Sequence, residues 1–586
     1  MIGRSQLAMA KKSTWVVGII LLCAVSFVAV FSLGTYLLFR PERIEVRQDS
    51  VLEVSVSTEL AELPPVSPLA RLFSSDGVNI IDLERGLRHA AMDPRIRAVS
   101  LELYPLVFSW AQVEELRGFV QDFRKSGKKV VVRMALDAPQ EKELYLASPA
   151  DKIYLNPDSG LLINGLVAEI NFYRKMMDKL KIEPQFLMFK EFKSPEPYSR
   201  DKMTPEIRSM LEGILKDIQD RFIHAVAQER KIEEPRLRQL IQIGLIPASL
   251  ALKERLVTAL GYEDDVRSQF EVGKPGGGKE YRSIGLASYL QSLDSRFQRR
   301  VGTRVALLGG IGAITSGGGD ETWENFIGGE TISARLRSIR EDKTIKGVLF
   351  RVDSPGGSAV GSDKIWREVR LLEKSGKPVV VSMSGVAGSG GYYIAMGARK
   401  IVAQPSTITG SIGVIFGKFN IRGLYEQWLG ITPDKVKMAE NADIFSPTTS
   451  LSEAQKTVIR NWMEEIYNNF VKKAAEGRGM SYEQLEPMAH GRIYTGNQAR
   501  QLKLVDEVGG YRMALSVLKK ELHVPEKEEL EVVLYPRPKS FWESLIQGDF
   551  FRSESYRPSL GNVIKSTLHS LETPAPWLLM PSVEIH

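Results

Sequence analysis

The chain repeats itself. Asp93-Pro-Arg-Ile-Arg-Ala-Val returns as Asp342-Lys-Thr-Ile-Lys-Gly-Val, and Ser126-Gly-Lys-Lys-Val-Val-Val returns as Ser375-Gly-Lys-Pro-Val-Val-Val, both displaced by 249 residues (93 to 342, 126 to 375). Tyr145-Leu-Ala-Ser-Pro-Ala-Asp-Lys-Ile returns as Tyr393-Ile-Ala-Met-Gly-Ala-Arg-Lys-Ile, and Pro157 returns as Pro405, at an offset of 248 (145 to 393, 157 to 405). One fold is therefore made twice, from copies of about 210 residues, each large enough to bury its own core.

Each copy alternates strands with crossover helices. In the second copy, helical spacing runs from Ile332 to Ile339, and Gly347-Val-Leu-Phe-Arg-Val352 predicts a strand. A helix from Lys364 to Lys374 is stopped by Ser375-Gly376, and Val379-Val-Val-Ser-Met383 is an apolar run suited to a buried parallel strand. A helix at Tyr393–Ala398 and a strand at Lys400–Ala403 follow. The order predicts an α/β class with a parallel sheet in each copy. The expected division is an N-terminal segment 1–12, an anchor 13–39, a linker 40–66 with a strand-like stretch from Val51, an N-terminal repeat 67–300, a C-terminal repeat 301–525 and a tail 526–586.

Residues 13–39 hold no charge across 27 positions, about 40 Å of helix against a hydrocarbon core of about 30 Å. The run ends in Tyr36-Leu-Leu-Phe-Arg40, without the small residues of a cleavage site, which predicts an uncleaved anchor. Arg4, Lys11 and Lys12 precede it, while Arg40 and Arg43 are diluted by Glu42 and Glu45. That bias predicts a cytoplasmic N-terminus and a body on the other side. The net charge of +7 is interspersed with acid, which points away from nucleic acid. Cys23 is the sole cysteine, so an intrachain disulfide, a Cys/His metal site and a thiol protease are all excluded. No cofactor or metal is expected.

The copies differ where chemistry would reside. Ser384-Gly-Val-Ala-Gly-Ser389-Gly-Gly-Tyr-Tyr393 follows a strand and opens a helix, and the first copy has Glu141 in place of Ser389. Such glycines allow a sharp turn that uncovers the hydroxyl, and the Gly390 N–H would sit unpaired at a helix start. Asp353-Ser-Pro-Gly356-Gly357 lies at the carboxyl end of a parallel strand, where Gly356 and Gly357 can offer N–H groups to an oxyanion. The first copy has Tyr104-Pro-Leu-Val107-Phe108 there. Conversely Phe192-Lys193-Ser-Pro-Glu-Pro-Tyr198 is confined to the first copy, with Phe445 roughly opposite Lys193. The complementary losses point to a serine nucleophile, Ser389, and a lysine base, Lys193, drawn from different repeats. Glu191 and Glu196 would raise the lysine pKa if near it, whereas a base needs desolvation.

Each motif has a plain alternative. The glycine-framed serine reads equally as a turn, and Lys193 as a solvated charge. Ser411 in Thr407-Ile-Thr-Gly-Ser411-Ile-Gly413 reads on spacing as a capping serine, with a bond to a catalytic amine as the alternative. Ser126-Gly-Lys-Lys129 matches S-x-x-K only formally, since its copy Ser375-Gly-Lys-Pro378 is a helix stop. None of the six histidines sits in a motif, and no phosphate-binding glycine loop is present.

Taken together, Arg351-Val-Asp-Ser-Pro-Gly-Gly, Ala387-Gly-Ser389-Gly-Gly-Tyr-Tyr, Pro405-Ser-Thr-Ile-Thr-Gly-Ser411-Ile-Gly, Lys193-Ser-Pro-Glu-Pro, Tyr494-Thr-Gly-Asn-Gln-Ala and Leu534-Tyr-Pro-Arg-Pro-Lys-Ser-Phe-Trp542 resemble the long form of the signal peptide peptidase A family. The likeness runs from about residue 50 to 545. It implies tandem domains of the Clp-protease/crotonase type, a Ser389–Lys193 dyad and Ser411 orienting the lysine. It further implies a homo-oligomer, a tetramer in the family, anchored in the bacterial inner membrane with its body in the periplasm. The substrates it implies are remnant signal peptides. Asp353 stands where relatives often carry Asn. Two other functions share the fold: a crotonase-like acyl-CoA enzyme and a non-catalytic scaffold.

Overall fold

The computed structural model describes residues 44–57, 61–64, 79–274, 277–294, 302–318, 326–537, 577–579 and 584–585. The N-terminal segment 1–12 and the anchor expected at 13–39 lie outside them. Among the described residues no helix is long and apolar enough to cross a membrane.

Two parallel sheets match strand for strand. In the first, Ser283–Gly285, Ser50–Val56, Ile96–Leu103, Lys129–Met134, Lys152–Leu155 and Ala259–Leu260 lie side by side. In the second, Glu531–Tyr535, Arg304–Ile311, Gly347–Ser354, Val379–Gly388, Lys400–Ala403 and Glu507–Val508 follow the same order. The second sheet also branches from Val379–Gly388 to Ile408–Gly410 and Ile493–Thr495. Tandem α/β repeats are what the alternating pattern predicts. The segment 40–66 differs from a plain linker, because Ser50–Val56 is an inner strand of the first sheet. Its alternating apolar residues are buried on both sides by the helices that cover a parallel sheet. The tail likewise supplies Glu531–Tyr535 to the edge of the second sheet.

Helices fall where the apolar period and the caps put them. Ala359–Lys374 starts on Ser358, whose hydroxyl accepts the Gly361 N–H at 3.1 Å, and the chain turns out at Gly376 with φ 83°. Pro205–Arg230 and Glu453–Arg478 are both 26 residues long and begin 248 residues apart (205 to 453). That offset brings Asn441, not Phe445, opposite Lys193.

A third sheet joins the copies. Its order is Phe326–Gly328, Ala313–Thr315, Gly356–Ser358, Trp577–Leu579, Val414–Asn420 and Glu183–Phe189. The last strand comes from the first repeat and pairs antiparallel with Val414–Asn420 over seven residues, Phe189 opposite Val414 and Glu183 opposite Asn420. Backbone pairing thus carries the chain after Phe189 into the second repeat.

Candidate active site

Ser389 sits between the strand Val379–Gly388 and the helix Gly390–Ala395. Its backbone is at φ 55°, ψ −114°, a conformation that costs a non-glycine residue about 1–3 kcal/mol and must be held from outside. The Ser389 N–H donates to the Gly410 carbonyl at 2.8 Å, and the Ser389 carbonyl accepts the Tyr393 N–H at 2.8 Å. Close approach fixes the next two positions. A Cβ on Gly391 would lie 2.4 Å from the Ser354 carbonyl oxygen, and one on Gly390 would lie 2.7 Å from Ser362 Oγ. Only glycines let the helix start lie against the 354–357 turn. In the first repeat Glu141, the counterpart of Ser389, is the first residue of helix Glu141–Ala147 and has no positive φ, so the strain belongs to the copy with the serine.

Lys193 follows the donated strand and is 1 % exposed. Its Nζ lies 2.6 Å from Ser389 Oγ, 2.8 Å from Ser411 Oγ and 3.2 Å from the Ser411 carbonyl oxygen. None of these partners is a carboxylate. Glu191 instead meets His490, and Glu196 accepts the Thr204 N–H at 3.1 Å. Burial therefore acts unopposed and pushes the lysine pKa well below its ordinary value. A neutral amine in this position can accept a hydrogen bond from the Ser389 hydroxyl while donating to the two Ser411 oxygens. Ser411 itself is held at φ 51° by its N–H bond to the Arg492 carbonyl at 2.7 Å.

The glycine turn closes the other side. Gly356 and Gly357 have φ 103° and 149°. The Gly356 N–H is engaged by Ser354 Oγ at 3.2 Å. The Gly357 nitrogen lies 3.1 Å from where a Cβ on Gly390 would be, so Gly357 and Gly390 present neighbouring backbone. Beside Gly357, the strand Trp577–Leu579 runs antiparallel to Gly356–Ser358 and meets Ile415 on its other edge.

Sequence reasoning missed what supports these loops. Buried Arg351 reaches Glu62 Oε2 at 3.0 Å with Nε and Ser382 Oγ at 2.8 Å with Nη1, and Nη2 pairs with Glu115. Glu62 and Glu115 belong to the first repeat's half of the chain, and Glu62 also accepts the Ser384 hydroxyl. A lone arginine inside an apolar strand signals such partners, because a buried charge must be paired. Asp353 accepts the Val386 N–H at 2.8 Å, and burial, reinforced by Glu62, pushes its pKa up to about 7. His490 carried no signal in the sequence.

Comparison with known proteins accords with the duplication. The model of peptidase family S49 matches residues 122–275 and again 372–525, together more than half of the chain. The chain is 29% identical over 534 residues to a protein named serine protease SPPA, chloroplastic, of Arabidopsis thaliana, covering 89% of this chain and 76% of the relative. It is 32% identical over 472 residues to Protease 4 of Haemophilus influenzae, covering 78% and 74%. Among solved structures, a ClpP1 mutant of Listeria monocytogenes matches 36% of this chain and 94% of its own at 16% identity and a TM-score of 0.23, too low to carry an argument. The two family matches, with homologous proteases along most of the chain, make this chain a tandem-repeat member of peptidase family S49 and a serine-type peptidase.

Proposed function

We propose that Ser389 is the nucleophile and Lys193 the general base of a membrane-anchored endopeptidase. The observation that carries this is the 2.6 Å contact between a buried, carboxylate-free amine and a serine hydroxyl on a strained turn. Lys193 Nζ takes the hydroxyl proton as Oγ attacks a peptide carbonyl. The oxyanion that forms accepts hydrogen bonds from the Gly357 and Gly390 N–H groups, while Gly356, whose N–H is engaged, holds the turn. The Lys193 ammonium then protonates the departing amine, and water, deprotonated by the same group, releases the acyl chain from Ser389. Ser411 orients the amine through both of its oxygens.

The substrate is an extended peptide. The third sheet supports this, since its strand position between Gly356–Ser358 and Ile415 takes backbone in β conformation, here the chain's own residues Trp577–Leu579. Remnant signal peptides, apolar and unstructured, fit such a slot. The uncharged run 13–39 would keep the enzyme at the bacterial inner membrane, with its body periplasmic and assembled as a homo-oligomer, a tetramer as in the family it resembles.

A fluorophosphonate probe followed by peptide mapping tests the chemistry: the label is expected on Ser389 and is expected to vanish in Ser389→Ala. Label on another serine, or undiminished label in the variant, refutes the assignment. For topology, protease added to spheroplasts should digest an epitope at the C-terminus. Protection until lysis would reverse the orientation.

A further inference from the structure

The loop that delivers Lys193 leaves its own repeat and must be held by the other. The second repeat grips it through one short strap, residues 486–492. Lys190 Nζ binds Glu486 Oε1 at 2.7 Å, and the Phe192 N–H donates to the His490 carbonyl at 3.1 Å. The Arg492 guanidinium lies over the Phe192 ring at 5.3 Å. A Cβ on Gly491 would come within 2.6 Å of both Lys193 N and Lys193 Cβ, so the strap lies directly against the lysine backbone. The same strap fixes Ser411: the Gly491 N–H donates to the Ile412 carbonyl at 2.8 Å, and the Ser411 N–H to Arg492 at 2.7 Å. Base and orienting serine are thus referenced to one segment.

At its centre, His490 bridges the repeats. Nδ1 lies 2.9 Å from Glu191 Oε1, of the first repeat, and Nε2 lies 2.9 Å from Glu486 Oε1, of the second. Both ring nitrogens face carboxylate oxygens, so the one ring joins an acidic side chain of each repeat. Glu486 is held below the usual carboxylate range by Lys190 and also by His490, and it accepts the Tyr467 hydroxyl at 3.3 Å. The His490 backbone is itself left-handed, at φ 54°, a conformation the side-chain bridge helps to hold.

We propose that His490 is a positioning residue for Lys193: by tying Glu191 to Glu486 it sets the place of the amine against Ser389 and keeps it dry. The proposal rests on Lys193 being the base, and a loosened loop then both misplaces and wets the amine. Four full-length variants test it, with folded enzyme counted by absorbance after gel filtration: His490→Gly, which suits the left-handed backbone, Glu191→Gln, which lies at the exposed end of the bridge, their double, and Lys193→Met. Each single bridge variant should lower kcat by about 10–100-fold and change KM by less than about twofold. The rising limb of the pH–kcat/KM profile should move upward, toward the pKa of a solvated lysine. The double variant should be no worse than the poorer single, because both remove one interaction. Additive losses, or an unmoved limb in the bridge variants, overturn the proposal, since a purely structural role lowers folded yield without moving the limb. Turnover retained in Lys193→Met removes the base and the clamp together. A dead Lys193→Met beside unaltered His490→Gly and Glu191→Gln removes the clamp alone.

Discussion

Methionine at position 193 separates the chemistry of the lysine from its energetics. Lys193 is 1 % exposed and bonds only to serine oxygens. Its folded pKa therefore lies well below the unfolded value of about 10.4. Between those two values the unfolded chain binds a proton that the folded chain does not. Stability of the wild type thus rises with pH through that window, by about 1.4 kcal/mol per unit, and is level above it and below it. Methionine fills a similar volume and titrates nothing, so the stability difference, wild type minus Lys193→Met, must climb with the same slope. A second effect is independent of pH: the variant strands the Ser389 and Ser411 hydroxyls, which costs it about 1–3 kcal/mol. For catalysis, an unassisted serine loses about 10²–10⁴ in rate, equivalent to about 3–5.5 kcal/mol of barrier. The wild-type profile should rise with pH as the amine loses its proton and then level off. Urea unfolding of both proteins in detergent at pH 7, 8 and 9, beside turnover of a fluorogenic peptide, reads all of this. A stability difference that stays flat over that range, or an intact rising limb in Lys193→Met, refutes the reasoning.

Glu115→Gln should destabilise the protein by about 3–5 kcal/mol in thermal unfolding, because it leaves the Arg351 charge buried with half its compensation. A loss under about 1 kcal/mol would mean that Glu62 alone neutralises the arginine. Deleting residues 571–586 should raise kcat/KM for a short extended peptide, by freeing the strand position beside Gly357 that Trp577–Leu579 occupies. Unchanged or slower turnover would show that substrate does not enter there.

Local signals in the chain carried the serine side of the site well. The apolar run Val379–Met383 placed the strand, which continues to Gly388, and glycines marked the turn at Ser389, because periodicity and backbone permissiveness are written in neighbouring residues. The lysine side was legible only by comparison of the copies. Nothing around Lys193 announces that its strand Glu183–Phe189 leaves its own repeat, because an exchanged strand looks the same in sequence as a retained one. The carboxylates near it misled in the same way: Glu191 and Glu196 are adjacent along the chain yet turned toward His490 and Thr204. Residues that hold the site through distant partners, Glu62, Glu115 and His490, have no local pattern at all. Strand Ser50–Val56 was recognisable as a strand, but its place inside the first sheet depends on pairing with Ser283–Gly285, which is more than two hundred residues away.

The two copies also explain why the site is divided. In the first repeat, Glu143 accepts the Leu106 N–H at 2.8 Å and the Gln140 N–H at 2.9 Å, and Glu141 accepts the Gly165 N–H at 2.8 Å. Carboxylates of this helix start thus bind the neighbouring backbone, and neither Gln140 nor Glu141 has a positive φ. In the second repeat Ser389 and Gly391 stand at the positions of Glu141 and Glu143, and the turn at Ser389 keeps its strain. Open donors and a strained serine are destabilising unless something packs against them. The first repeat supplies that packing by sending Glu183–Phe189 and then Lys193 across, so the amine proposed as the base also covers the serine. A second repeat expressed alone would lack both the base and the cover. Its serine should label slowly for two reasons that can be told apart: added Lys193-containing first repeat restores the base, whereas added Lys193→Met first repeat restores only the packing.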